Sequence, residues 1–338
     1  MSKRFWLSII FVLVCSALLL KGSASAAFTA VPLPELGMGF YLDQQGGLYP
    51  GGLNVPPPAY LAQLEAEDCH DPATGKAIIP VIGMSMAQNA LKGWQTFLNN
   101  PEVSDNLVVI DGTLGSDQQR FTNPDYFGWG IGLNRLNAAG YTAAQVKCVI
   151  YHNSWSGPSG EFVPYAEMVR DSFAVTMAII KQKYPNVAVI YLNSRHYGLS
   201  PSSKQPEPYA YWEGWAVKWL IESRINCVSD CGALLAWNAY QWVPGWADHP
   251  EYYAADGLHL VGAGQVASGQ IWHNYLSSTT FTAPWYLDGA PPPTSTPGPT
   301  AVPTSTPTPT GATMTPTPTN TASGCGRACQ TATAAAGG

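Results

Sequence analysis

Charge is scarce in this chain. Only 11% of its 338 residues are Asp, Glu, Lys or Arg, against 46% hydrophobic and 12% aromatic, which excludes a solvated or disordered body and predicts one sizeable core. Positive charge is scarcer still, with 16 Lys and Arg against 22 Asp and Glu; such a surface does not attract nucleic acid. No apolar run after Leu20 is long enough to span a bilayer. Histidine is limited to six residues, and the loop that gathers Asp68, His70 and Asp71 fits no strong metal-ligand spacing, so no metal is predicted and a solvated loop is the expectation there.

The amino terminus does carry an apolar run. Lys3 and Arg4 precede Phe5 to Leu20, and Ala24-Ser25-Ala26 follow, the pattern of a secretory signal peptide over residues 1–26. Its removal takes away Lys3, Arg4 and Lys21 but no acid, leaving 13 basic against 22 acidic residues, a net −9. The expected product is exported, bacterial and without a stable membrane anchor. Of the seven cysteines, Cys15 lies in the signal; the remaining six are an even number in an exported protein, which favours disulfides. Cys227 with Cys231 is the simplest local pair, Cys69 with Cys148 then follows by elimination, and Cys325 with Cys329 would close a small loop.

Residues 27–288 read as one domain. Phe28 to Pro58 is rich in Gly and Pro and predicts an irregular lead-in whose aromatics are candidates to line a cleft. Short apolar runs then alternate with helical spacing. Strands are predicted at Ala77–Ile82, Leu107–Ile110, Val146–Tyr151, Val187–Leu192 and Ala233–Trp237, and helices near Ala87–Leu98, Tyr165–Tyr184, Trp212–Ser223 and Gly264–Tyr275. Nearly continuous apolar strands separated by helices imply a central parallel sheet covered on both faces, a three-layer α/β/α fold with ligands at the carboxyl ends of its strands. From residue 289 to 323 the composition shifts to Thr-Pro repeats, an extended linker, and 324–338 is either a short cysteine-containing tail or the start of a further module.

Two blocks carry chemistry. Gly83-Met84-Ser85 follows the first predicted strand, and Asp256-Gly257-Leu258-His259 lies near the end of the domain. A serine hydroxyl needs a base to remove its proton, and that base needs a carboxylate, expected to be buried, to fix its tautomer. Ser85, His259 and Asp256 match those roles, and a helix beginning near Ala87 would turn backbone N–H groups toward a developing oxyanion. Alone, Gly-x-Ser is commonly an ordinary turn. The chain order differs from that of an α/β-hydrolase, whose serine comes later, within Gly-x-Ser-x-Gly.

An early serine paired with a late Asp-x-x-His resembles the SGNH, or GDSL-type, hydrolase superfamily. The resemblance extends to an uncharacterised secreted bacterial subgroup over most of Tyr49 to Leu287, through Gly83-Met84-Ser85, the stretch from Tyr191 to Gly198, Pro206 to Tyr211, Ala216 to Trp219 and the Asp-Gly-Leu-His block. It implies a flavodoxin-like sheet, no cofactor, and an oxyanion hole built from the Ser85 N–H, a glycine N–H and an asparagine side chain. Gly115, with Gly112 as a competitor, and Asn153 are the candidates; a plain turn and a loop cap are the alternatives. Met84 stands where Asp is usual, Met86 where Asn often follows the serine, and His152-Asn153-Ser154 only approximates Gly-x-Asn-Asp.

Arg195 and Tyr197, with Glu207 downstream, are candidates to clamp a substrate carboxylate or hydroxyl, or to stabilise loops through a salt bridge. His152 reads as a second base or a loop histidine. Trp237, Trp242, Trp246 and Tyr240 are candidates to stack on sugar rings or to pack the core. The expected activity is a secreted serine esterase acting on acyl esters, with acetylated extracellular polysaccharide as the favoured substrate. A glycan-binding or cell-surface module without catalysis, and a lipase or lysophospholipase, are the alternatives.

Overall fold

A computed structural model describes residues 28–289 apart from Ser202. The chain divides into a unit spanning Met1–Thr296 and one spanning Pro297–Gly338; the second lies outside the described residues, as do the predicted signal peptide, nearly all of the Thr-Pro linker and the Cys325–Cys329 pair. Five parallel strands form the sheet: β1 (Ala77–Gly83), β2 (Leu107–Thr113), β3 (Cys148–His152), β4 (Val189–Asn193) and β5 (Leu234–Ala239). Their spatial order is β2-β1-β3-β4-β5, the flavodoxin-like order, in which the chain switches direction between β1 and β3.

Side-chain parity along each strand divides the core in two. Ile78 and Ile82 of β1, Val149 and Tyr151 of β3, Ile190 and Leu192 of β4, and Leu235 and Trp237 of β5 pack on one face. Ala77, Ile79, Val81, Cys148, Ile150, Val189, Tyr191 and Ala236 pack on the other. Helices α3 (Phe127–Ala138), α4 (Phe162–Lys183) and α5 (Tyr209–Ile225) cover the first face, and α1 (Pro58–Ala66), α2 (Ser85–Gln95) and α6 (Ala263–Ser278) cover the second. Strands β1, β3 and β4 are therefore buried along their whole length and read as nearly unbroken apolar runs, whereas the edge strand β2 is half-buried and carries Asp111. The fold is the expected three-layer α/β/α arrangement.

Three local differences have physical reasons. Helix α3 is absent from the sequence reading because Gly128, Gly130 and Gly132 mask its periodicity; it settles on β2 with Gly132 facing Gly112, where a Cβ on Gly112 would lie 3.0 Å from the Val81 carbonyl oxygen. Helix α1 emerges from the lead-in with Pro58 in its first turn, where the missing N–H costs nothing. Three of the four lead-in aromatics pack against the domain: Tyr49 is fully buried, Tyr41 packs against Phe162, Tyr211 and Trp215, and Phe28 against Tyr211 and Trp242, while Phe40 is exposed.

Both disulfides that fall within the described residues are present. Cys69 bonds Cys148, tying the segment after α1 to the start of β3, and Cys227 bonds Cys231 just after α5. Among the described residues no helix is long and apolar enough to cross a membrane.

Candidate active site

Strand β1 ends at Gly83, whose φ of +150° and position against β3 admit no side chain: a Cβ there would lie 1.8 Å from the His152 carbonyl oxygen. The close approach delivers Met84 as an extended N-cap and Ser85 as the first residue of α2. The first intrahelical bond from this end runs from Gln88 N to Met84 O, so the N–H groups of Ser85, Met86 and Ala87 precede the helical ladder and point out of its end. Sequence reasoning set Ser85 in a turn before a helix from Ala87; it heads the helix instead.

The loop between β5 and α6 supplies the other two groups. Asp256 Oδ1 accepts the backbone N–H groups of Leu258 and His259, each at 3.0 Å, and Asp256 Oδ2 lies 2.6 Å from His259 Nδ1. The loop closes on itself through Ala254 N to His259 O at 2.8 Å and Gly257 N to Ala254 O at 2.9 Å. Gly257, at φ +61°, fits because it has no side chain; a Cβ would fall 2.5 Å from that of Ser200. His259 Nε2 then lies 2.8 Å from Ser85 Oγ. With Nδ1–H donated to the carboxylate, Nε2 is the free lone pair and the serine hydroxyl donates to it.

Partial burial raises the Asp256 pKa, but the hydrogen bond from His259 and the two backbone N–H donors outweigh it and hold the carboxyl at about 2. It is therefore a carboxylate at any ordinary pH. The expected burial of this acid is corrected: the side chains of Asp256 and His259 are 48% and 41% exposed. The chain Asp256–His259–Ser85 lies open at the surface, with the fixed loop geometry rather than enclosure orienting the imidazole.

The remaining predicted residues are placed variously. Gly115 lies exposed in the loop after β2, whereas its competitor Gly112 is inside β2, opposite Ile82 of β1. Asn153 directly follows β3 and is buried; its Nδ2 donates to the Tyr151 hydroxyl at 3.0 Å and its Oδ1 accepts the Ser154 N–H at 2.9 Å. His152 is buried at the end of β3, its ring centroid 6.0 Å from that of Trp272. Burial and the charge of Arg195 push its pKa down to about 3, so it stays neutral. Asp68 bonds His70 Nδ1 at 2.6 Å, and Asp71 accepts Thr74 and Gln145; among the described residues no group of three or more His, Cys, Asp or Glu is arranged to hold a metal ion.

Three substrate-contact candidates are corrected by burial. Trp237 is 0% exposed and donates its indole N–H to Leu48 O, so it packs the core and cannot stack on a sugar. Its position two residues from Leu235 on the same strand face already carried that signal. Tyr197 is buried and donates to Phe28 O. Arg195 is buried as well and forms no ion pair with Glu207, whose carboxylate instead accepts Gly198 N, Tyr211 N and Trp242 Nε1. Trp242 and Trp246 are likewise buried, with Tyr240 only partly exposed.

Sequence reasoning missed two buried groups. His196 bonds the Leu258 carbonyl inside the Asp-His loop at 2.8 Å. Glu213 of α5 sits under the loop after β3, where its Oε1 accepts Trp155 N and Tyr165 Oη. Neither falls at a spacing that marks a catalytic motif, although His196 belongs to the stretch from Tyr191 to Gly198 singled out above.

No protein-family model matches the chain, and no curated protein matches it in sequence. Among solved structures, it is similar to a protein from Arabidopsis thaliana, with 13% identity, a TM-score of 0.36 and coverage of 56% of this chain and 67% of that one. It is also similar to the lipopolysaccharide acetyltransferase periplasmic domain of Salmonella ser. Paratyphi A, with 15% identity, a TM-score of 0.32 and coverage of 64% and 94% respectively.

Proposed function

We propose that this chain is a secreted serine ester hydrolase of the SGNH type. The observation that carries the reading is the unbroken hydrogen-bonded path from Asp256 Oδ2 through both nitrogens of His259 to Ser85 Oγ. Its position at the carboxyl ends of the strands, beside the β1/β3 switch point, is where open α/β sheets bind ligands.

In this reading Ser85 Oγ attacks an ester carbonyl while His259 Nε2 takes its proton, and Asp256 stabilises the imidazolium that forms. The tetrahedral intermediate collapses as His259 returns that proton to the leaving alcohol. Water then attacks the acyl-serine with His259 again as base, releasing the acid and restoring Ser85. The oxyanion is held by the Ser85 N–H at the head of α2, by the Gly115 N–H and by Asn153, which would turn its amide from Tyr151 toward the substrate. No step calls for a cofactor.

Acetyl esters on extracellular carbohydrate are the favoured substrates, because a triad open on the surface suits an acyl group carried on a bulky polymer. The predicted signal peptide and the two disulfides among the described residues fit an exported enzyme. The test is incubation of the purified protein with p-nitrophenyl acetate and with a serine-directed phosphonate. Turnover and a single adduct on Ser85 are expected; a folded sample that does neither would refute the reading in favour of a binding module. Preference for long-acyl over acetyl esters would redirect it to a lipase.

A further inference from the structure

The connection from β4 to α5 holds Arg195 and His196, both 1% exposed. Burying a guanidinium is costly, and no carboxylate lies within ion-pair distance of this one among the described residues. Burial pushes its pKa down while Glu213 and Glu207 oppose the shift from a distance. Its direct bonds go elsewhere. Nε donates to Met86 Sδ at 3.1 Å, and Met86 is the residue after Ser85. Nη1 donates to the Gln205 carbonyl, and the Gln205 side chain reaches Met84 Sδ, on the residue before Ser85, at 3.7 Å.

His196 points the other way. Its Nε2 meets the Leu258 carbonyl, one peptide before His259, at 2.8 Å. Facing a carbonyl, that nitrogen carries the proton; burial and the Arg195 charge push the ring well below the usual histidine range, so the donor is a neutral imidazole. The same connection continues the grip, with Leu199 N and Ser200 N bonding Gly257 O at 3.1 and 3.3 Å and Tyr253 Oη donating to Tyr197 O at 3.0 Å. Two consecutive residues thus reach the two halves of the triad, which lie 174 positions apart in sequence.

We infer that Arg195 and His196 are positioning residues, a clasp that holds the head of α2 and the Asp256–His259 loop at reacting distance. This rests on the esterase reading. Neither residue touches the reacting atoms. Arg195 holds the Met86 side chain after the nucleophile directly and the Met84 side chain before it through Gln205, and His196 fixes the carbonyl of the peptide that leads into His259. Loosening either end would leave substrate binding intact while spoiling the alignment of Ser85 Oγ with His259 Nε2.

The experiment measures kcat, KM, thermal midpoint and Ser85 labelling on the full chain for His196→Leu, His196→Gln and Met86→Leu. Misplacement by about an ångström costs up to roughly 10²-fold, so His196→Leu is expected to lose ~10–100-fold in kcat with KM within about twofold. His196→Gln, whose amide N–H can reach the same carbonyl, should recover most of that loss. Met86→Leu keeps the volume but removes the sulfur acceptor, and should lower kcat about threefold or more at a near-native midpoint. If His196→Leu does not fold, the other two variants decide. Unchanged kcat in Met86→Leu, or equal losses in the Leu and Gln variants, overturns the clasp while wild-type labelling leaves the esterase standing. A wild type that neither turns over nor labels removes both.

Discussion

Gly93 of α2 and Gly269 of α6 meet with backbone against backbone. A Cβ on Gly269 would lie 2.1 Å from both the Gly93 carbonyl carbon and the Trp94 nitrogen, and one on Gly93 would lie 1.7 Å from the Gln265 carbonyl oxygen. This crossing locks the helix headed by Ser85 to the helix that follows His259. The indoles of Trp94 and Trp272 pack beside it at 5.7 Å, and Gln265 Nε2 bridges Asn89 and the Leu260 carbonyl.

Replacing Gly269 by Ala should therefore force the two helices apart. Overpacking of this kind costs about 1–3 kcal/mol, and in a domain of this size each kcal/mol lowers the thermal midpoint by roughly 2–4 °C. Turnover should fall as well, because the separation moves Ser85 relative to His259. A Gly269→Ala variant with native midpoint and native kcat would show that the crossing has slack the geometry does not suggest.

On the proposed esterase reading, substitutions at Ser85 and Asp256 should be unequal. Ser85→Ala removes the nucleophile and should abolish turnover and phosphonate labelling. Asp256→Asn keeps the size but loses the charge that selects the His259 tautomer, and should cost on the order of 10⁴ in kcat. Steady-state kinetics with p-nitrophenyl acetate measure both; an Asp256→Asn enzyme of full activity would mean that the loop backbone alone orients the imidazole.

The Cys69–Cys148 bond closes a span of 79 residues. Such a loop is worth about 4 kcal/mol through the unfolded chain, so the double Cys→Ser variant should melt well below the wild type. Both sulfurs belong to buried residues, and reductant should act on the folded protein slowly. Urea titrations with and without reductant compare the two.

Acid should weaken the fold through His152. Its pKa is lowered to about 3 from the ordinary 6.5, chiefly by burial. Below pH 6.5 the unfolded chain binds a proton that the folded one refuses, so this stability term is complete above 6.5 and is lost as pH falls toward 3. The slope is at most about 1.4 kcal/mol per pH unit. Glu207 opposes it: burial raises its pKa to about 7 from 4.5, so it destabilises increasingly from pH 4.5 up to 7. The difference in midpoint between wild type and Glu207→Gln, followed from pH 4 to 8, should change in favour of the variant as pH rises. A constant difference would contradict an ionising Glu207.

Much of this architecture was legible in the sequence because the strands inside the sheet, β1, β3 and β4, are buried on both faces. Five β-branched and apolar runs matched β1 to β5 within a few residues, and the longer helices followed from their apolar spacing. What stayed hidden depends on contacts between distant segments. Glycines concealed α3, since Gly128, Gly130 and Gly132 interrupt the apolar spacing by which a helix is read. Ser85 could be assigned to the turn or to the helix, because serine is compatible with either side of a helix start. Of the candidate site residues, Ser85, Asp256 and His259 are joined by hydrogen bonds. The exposure of Asp256 and the burial of Arg195 are set by which loops cover which, a matter that residue type does not encode.

The Asp256–His259 loop has a consequence for how such a centre comes into being. Acid and base are bonded within four consecutive residues, through contacts that need nothing outside the loop. The bond between carboxylate and imidazole can thus form as soon as the local chain closes, before the rest of the domain is in place. Aiming that pair at Ser85 is a separate task, left to the contacts that His196, Leu199 and Ser200 make with the loop from outside.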